Sequence, residues 1–266
     1  SVTSIKPCTM MSPLTVSQLL PLGDENYDTV IIDEASQMKP EYAIGAMART
    51  KQLIVVGDQK QLPPARDFES KFNDEDDEDD IVEESILDLA LTVLHPAREL
   101  LFHYRSRHQD LIKFSNAKFY KNLLIPTTAS LDNIDKGIKY LYLEAATYTT
   151  GNTGMGGTNF LEAERAVDEA INIMKTRPDE SVGIATMNIK QANYIEDLMD
   201  KKRTEDRDVN NYIKKWIESD SKVNQFFVKN LANVQGDERD VIIVSTLFGP
   251  DSISGQIRQT FGPIVQ

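Results

Sequence analysis

The sequence predicts an α/β protein built in two successive units. Three observations point there. First, short β-branched runs end abruptly in acidic or glycine-acid pairs: Thr29-Val30-Ile31-Ile32 before Asp33, and Leu53-Ile54-Val55-Val56 before Gly57-Asp58. Such runs read as parallel strands buried on both faces. Second, a helical stretch, Pro40 to Arg49, lies between them, with proline at its first turn. Strand, helix, strand at that spacing is a parallel α/β unit. Third, the pattern returns after His95-Pro96, with strands at Glu99–Phe102 and Val182–Thr186 and long helices between.

The elements follow in order. Met10-Met11 and their neighbours suggest a short strand closed by Ser12-Pro13, then a helix from Val16. After the first strand–helix–strand unit, Asn73 to Asp80 is acidic low complexity and reads as a solvated loop. Ser85 is placed to cap a helix running through Leu94. In the second unit, His108 to Tyr120 suits a helix and Ile138 to Leu143 a strand. Gly151 to Gly157 reads as a flexible loop, and Asn159 to Lys175 as a long amphipathic helix. Ile189–Lys202 and Tyr212–Ile217 read as helices, and Val241–Thr246 as another buried strand. The boundary is drawn at 97/98, giving units 1–97, with an acidic loop at 67–84, and 98–266.

Composition bounds the function. The 266 residues are 40% hydrophobic, enough for packed cores. No apolar run approaches the roughly 18 residues of a membrane helix, so no membrane partner is expected. The single cysteine, Cys8, rules out an internal disulfide, and three scattered histidines give no zinc spacing. A reducing cytoplasm fits. The net charge of −13 sits mostly in one place: eleven acids and one base, Lys71, lie between Asp67 and Glu84. The remainder is nearly neutral, so overall acidity does not exclude a nucleic-acid partner.

Two strand ends carry the chemistry. Asp33-Glu34-Ala35-Ser36-Gln37 ends the first strand, where ligands of open α/β sheets collect. A carboxylate there can hold magnesium and its neighbour can polarise a water, the Walker B arrangement. An Asp-Glu pair also serves as a plain helix cap. Gly57-Asp58-Gln59-Lys60-Gln61-Leu62-Pro63-Pro64 ends the next strand, where a glutamine can reach a terminal phosphate; glycine and proline would equally make an ordinary turn.

Together these segments resemble motifs II and III of superfamily 1 helicases. The nearest branch includes the nonsense-mediated-decay helicase and the Okazaki-fragment helicase-nuclease. Further stretches resemble later motifs in the right order: Phe102-His103-Tyr104-Arg105-Ser106, Val182 to Gln191, and Val234-Gln235-Gly236-Asp237-Glu238-Arg239-Asp240. Ser12-Pro13-Leu14-Thr15 resembles an early nucleic-acid-contacting motif. The resemblance implies two RecA-like lobes, each a parallel sheet with helices on both faces, the first truncated at its N-terminal end. It implies an ATP-dependent helicase or translocase on single-stranded DNA or RNA, moving 5′ to 3′, with ATP and Mg2+ as cofactors.

Roles follow residue by residue from that resemblance. Asp33 would bind magnesium, Glu34 would activate water, and Gln61 would sense the terminal phosphate. Tyr104 would stack on the base, and Arg105 would reach the terminal phosphate from the second lobe. Glu238 would bind the ribose, with Gly236 permitting close approach. Ser12, Thr15 and Thr186 would touch the tracked strand. Read without the resemblance, Tyr104 is also compatible with a core aromatic and Thr186 with a plain strand residue.

Two departures stand out. No Gly-x-x-x-x-Gly-Lys-[Ser/Thr] occurs anywhere. The phosphate loop is expected upstream of Ser1 and the final arginine motif after Phe261-Gly262-Pro263, so the remainder of the parent polypeptide would complete the ATP site and this chain alone would be inactive. Met187-Asn188 replaces the family's Pro-Tyr. The rival reading is a non-catalytic nucleic-acid-binding or scaffold module with a degenerate helicase fold.

Overall fold

The computed structural model describes residues 7–22, 27–64, 84–126, 137–149, 157–219 and 222–257. The acidic run, most of the glycine-rich stretch and the Phe261-Gly262-Pro263 segment lie outside them. The chain divides into two compact units, 1–139 and 140–266. The division falls about forty residues later than the one drawn from sequence. The segment after His95-Pro96 joins the first unit, where Tyr120 bonds to Asp58 across 62 positions.

In the first unit, α1 (Pro13–Leu19) is opened by Ser12, whose Oγ accepts from the Thr15 backbone N–H at 3.2 Å, with Pro13 preset for the first turn. The strand expected at Met10-Met11 is absent and the helix begins three residues early, because that cap and proline fix its start. Next come β1 (Tyr27–Ile32), α2 (Pro40–Met47) and β2 (Thr50–Val55). β1 and β2 pair in parallel from Tyr27 opposite Thr50 to Ile32 opposite Val55. Buried Arg49 ties α1 to α2, donating from Nε and Nη2 to the Leu20 carbonyl at 3.0 and 2.7 Å. α3 (Ile86–Val93) carries the full capping box on Ser85 and Asp88. Its Ile86 and Leu87 join Ile32, Ala35 and Ala43 in a small core.

That core covers one face of the sheet only. Ile31 is 63% exposed and Ile54 42%, which corrects the expectation of strands buried on both sides. The unit ends with a short β3 (Phe102–His103), α4 (Asp110–Lys118) and β4 (Ile125–Pro126), β3 and β4 being parallel. The four-residue strand expected at 99–102 is thus shorter and displaced.

The second unit has a three-stranded parallel sheet, ordered β6 (Phe227–Asn230), β5 (Val182–Thr186), β7 (Val241–Ser245). Central β5 is buried at every residue, as its position between two neighbours requires. Edge strand β7 alternates instead, with Ile242 and Val244 exposed; it too was expected to be buried. α5 (Phe160–Thr176), α6 (Ile189–Glu205) and α7 (Arg207–Glu218) pack a continuous apolar core against β5 through Ala163, Val167, Ile184, Ile195, Val209 and Tyr212. Residues 138–143 form no strand. Ile138, Tyr140, Leu141 and Tyr142 of that stretch are exposed, so its apolar side chains pack against no sheet. The α/β class is the predicted one, with parallel pairing between all the named strands.

Candidate functional site

β1 and β2 end side by side, and backbone bonds continue past their ends. The Val56 N–H donates to the Ile32 carbonyl at 2.8 Å, and the Ala35 N–H donates to the Val56 carbonyl at 3.0 Å. The loop after Asp33 and the loop after Gly57 are therefore stitched together. Gly57 is required there. A Cβ on it would lie 3.0 Å from Ser36 N, 3.2 Å from Ala35 N and 3.0 Å from Leu87 Cδ2.

Asp33 and Glu34 are both exposed at this edge. Asp33 Oδ1 accepts from the Glu34 N–H at 2.9 Å. Glu34 itself stands at φ 51°, ψ 40°, a left-handed conformation that a non-glycine residue adopts at a cost of roughly 1–2 kcal/mol. A short helical turn, Ala35–Gln37, follows, and Gln37 Nε2 reaches Glu34 Oε2 at 3.4 Å. The Glu34 side chain is exposed, with its carboxylate beside that turn.

On the neighbouring loop, Asp58 is a hub. Its Oδ1 accepts from Lys60 N–H at 2.9 Å; its Oδ2 accepts from Gln61 Nε2 at 3.0 Å and from the Tyr120 hydroxyl at 2.5 Å. Burial would raise its carboxyl, but these three bonds and the Lys60 charge hold it below the ordinary aspartate value. Gln59 Nε2 donates to Asp88 Oδ1 at 2.8 Å, tying the same loop to the cap of α3.

Tyr104 and Arg105 sit on a tight turn after β3. His103 Nε2 bonds Ser106 Oγ at 2.7 Å and accepts from the Ser106 N–H at 3.3 Å. Burial and the Arg105 charge push the His103 pKa down, which favours the neutral ring. The turn throws Tyr104 outward, 76% exposed, so it is not a core aromatic. Both residues fall in the first compact unit, together with Asp33, Glu34 and Gln61. Ser12 and Thr15 bond each other through their hydroxyls at 2.8 Å while capping α1.

The second unit holds the remaining candidates. Gly236 stands at φ +86°, with open space where a Cβ would stand. Around it, Arg239 stacks on the Phe227 ring at 4.6 Å and donates to the Gln225 carbonyl at 2.8 and 2.6 Å, while Lys229 pairs with Asp237 at 2.5 Å. Exposed Glu238 is thereby carried on a fixed loop leading back to the start of β7. Thr186 is fully buried at the C-terminal end of β5, and its hydroxyl donates to the Asn188 carbonyl at 2.7 Å.

Sequence reading missed a polar latch in this unit. Glu162 Oε1 accepts from Ser245 Oγ at 3.0 Å and Leu247 N–H at 2.9 Å, holding Leu247 at φ +70°. Buried Asn159 caps α5 and donates to the Leu247 carbonyl at 3.2 Å, and buried Gln191 accepts from the Asn159 N–H at 2.9 Å. Asn159 at a helix start was a readable cap signal. The long-range partners left none.

The acidic and the glutamine-bearing loops thus lie side by side at the ends of two adjacent parallel strands. Two family models, both described as AAA domain, match residues 8–66 and 82–249. The second alone covers more than half the chain, which therefore belongs to the AAA domain family. An uncharacterized ATP-dependent helicase of Mycoplasma genitalium is 34% identical over 252 residues, 90% of this chain and 21% of that protein. The ATP-dependent helicase NAM7 of Saccharomyces cerevisiae is 29% identical over 237 residues, covering 84% and 22%. The DNA polymerase alpha-associated DNA helicase A of the same yeast is 26% identical over 252 residues, covering 82% and 33%. These matches bear out the superfamily 1 helicase resemblance. The chain spans about a fifth to a third of the length of these relatives. Among the described residues no helix is long and apolar enough to cross a membrane.

Proposed function

We propose that this chain supplies the hydrolytic edge of an ATP-driven helicase or translocase acting on single-stranded DNA or RNA. The observation that carries the reading is the stitching of the Asp33–Glu34 and Gly57–Gln61 loops at the ends of two adjacent parallel strands. Its support is the set of helicase-named relatives.

Each residue has a physical task. Asp33 is exposed at a strand end, with a single carboxylate to offer. That fits magnesium, which takes one or two carboxylates and completes its shell with water and phosphate oxygens. When bound, the ion neutralises charge on the phosphates. Exposed Glu34 polarises the attacking water. Gln61 contacts the terminal phosphate, and the guanidinium of Arg105 offers a fixed fork of donors to it. Tyr104 presents an open ring to the base, and Glu238 accepts from the ribose beside Gly236. Ser12 and Thr15 offer hydroxyls to the strand backbone. The donors that surround the β- and γ-phosphates in this family are missing from the sequence, and the rest of a longer polypeptide is proposed to bring them.

That missing loop also favours a second reading, a binding module without turnover. The experiment that separates the two is Glu34→Gln in a longer polypeptide containing the phosphate loop. The hydrolytic reading expects ATP binding to survive and turnover to fall on the order of 100-fold, the scale of a positioned general base. Unchanged turnover in that variant removes Glu34 from the chemistry.

A further inference from the structure

Gln61 is an exposed side chain with three rotatable bonds, and left to itself its amide would sample many rotamers. It does not stand alone. Its Nε2 donates to Asp58 Oδ2 at 3.0 Å, and that same oxygen accepts from the Tyr120 hydroxyl at 2.5 Å. The carboxylate that orients Gln61 is thus itself oriented by a phenol 62 residues further along.

Tyr120 is well fixed. It follows α4 directly, its N–H donates to the Ser115 carbonyl at 3.3 Å, and its carbonyl accepts from the Leu123 N–H at 2.8 Å. The Asn116 side chain clamps the next stretch, accepting from the Leu124 N–H at 3.0 Å and donating to the Leu124 carbonyl at 2.9 Å. Ile125 then donates to the Leu101 carbonyl at 2.7 Å and pairs with Phe102. From Leu101 the chain runs into the turn that presents Tyr104 and Arg105. The same small block therefore carries Tyr120 at one end and Arg105 at the other.

We infer that Tyr120 is a positioning residue for Gln61: acting through Asp58, it fixes the glutamine amide and registers the loop after β2 against the block that bears Arg105. The inference rests on the reading of Gln61 as the contact to the terminal phosphate. The electrostatics agree. Burial, the bond to Asp58 and the Asp58 charge all raise the Tyr120 phenol, so it remains a donor at any physiological pH. A charge-assisted bond from a hydroxyl to a carboxylate is among the stronger kinds, and it leaves Oδ2 little freedom to turn away from Gln61.

The test begins with the 266-residue chain. Tyr120→Phe removes the hydroxyl and keeps the ring, and Asp58→Asn removes the acceptor charge as an independent break. In 15N-resolved NMR spectra, the Gln61 side-chain amide pair should shift and exchange faster with solvent in both variants. In the longer polypeptide, Tyr120→Phe should lower kcat for ATP by about tenfold, within the range of coupled contacting residues, with KM nearly unchanged. In a Gln61→Ala background the same change should cost nothing more. An unmoved Gln61 amide, or two losses that multiply, would overturn the inference. Undiminished turnover in Gln61→Ala alone would instead overturn the phosphate-contact reading, while the amide spectra still decide whether Tyr120 positions the side chain.

Discussion

Glu34 and Gly57 sit on the two stitched loops and set opposite demands on the backbone. Glu34 holds a left-handed conformation that glycine would adopt freely. Glu34→Gly should therefore raise stability by up to about 1 kcal/mol in a denaturant melt, even as the carboxylate is lost. A variant less stable than the parent would show that the Gln37 contact outweighs the strain. Gly57→Ala should do the reverse. Its Cβ would press on backbone nitrogens that cannot rotate aside, at a cost of about 1–3 kcal/mol. Asp58 adds a pH term. Its carboxyl is held below the ordinary 3.8, so its stabilisation is complete above that value and is lost as pH falls through the lowered folded value. Asp58→Asn should flatten the acid limb of the stability curve below pH 3.8, and an identical limb would contradict the hub. These residue types at strand ends were legible as chemistry. Tyr120 was not, because a tyrosine at a helix end reads as packing and its partner lies 62 positions away.

At the scale of elements, the caps decide most boundaries. Ser85, read from sequence as a cap, makes the capping box of α3. Asn159 does more for α5, since its side chain both caps the helix and satisfies the carbonyl of buried Leu247, two residues past β7. Asn159→Ala should lose the cap, about 1 kcal/mol, and orphan a buried carbonyl, about 1–3 kcal/mol more. The melting loss should exceed that of Ser85→Ala. Equal losses would mean that the Leu247 bond contributes nothing. β5 was legible to the residue because a central strand is buried throughout and its Val-Gly-Ile-Ala run is apolar. β6 went unread because Phe227-Val228-Lys229-Asn230 is short and half polar, and becomes a strand only by pairing with β5. Residues 138–143 failed the other way: the apolar and aromatic run suits a strand, but pairing is a long-range fact that a local pattern cannot supply.

For the molecule as a whole, each compact unit carries its own part of the candidate machinery. The first holds the two carboxylates, the glutamine hub and the Tyr104–Arg105 turn; the second holds the Gly236–Glu238 loop. The ordered motifs made this inventory readable, but they did not reveal that the Tyr104–Arg105 block belongs with the first unit. Without a phosphate loop in its sequence, the 266-residue chain should show at most weak ATP binding by calorimetry and background phosphate release. A half-built site does not hold reacting atoms to within about 0.5 Å. Robust hydrolysis by the isolated chain would point to a phosphate site of another kind.

The central claim is that ATP hydrolysis through Glu34 is coupled to single-stranded nucleic acid. Phosphate release by the longer polypeptide, measured with and without a single-stranded oligonucleotide, tests it most directly. The account predicts turnover that accelerates when the oligonucleotide is added, and a Glu34→Gln variant that stays near background in both conditions. A rate indifferent to nucleic acid, or a variant that hydrolyses ATP as fast as the parent, would contradict it.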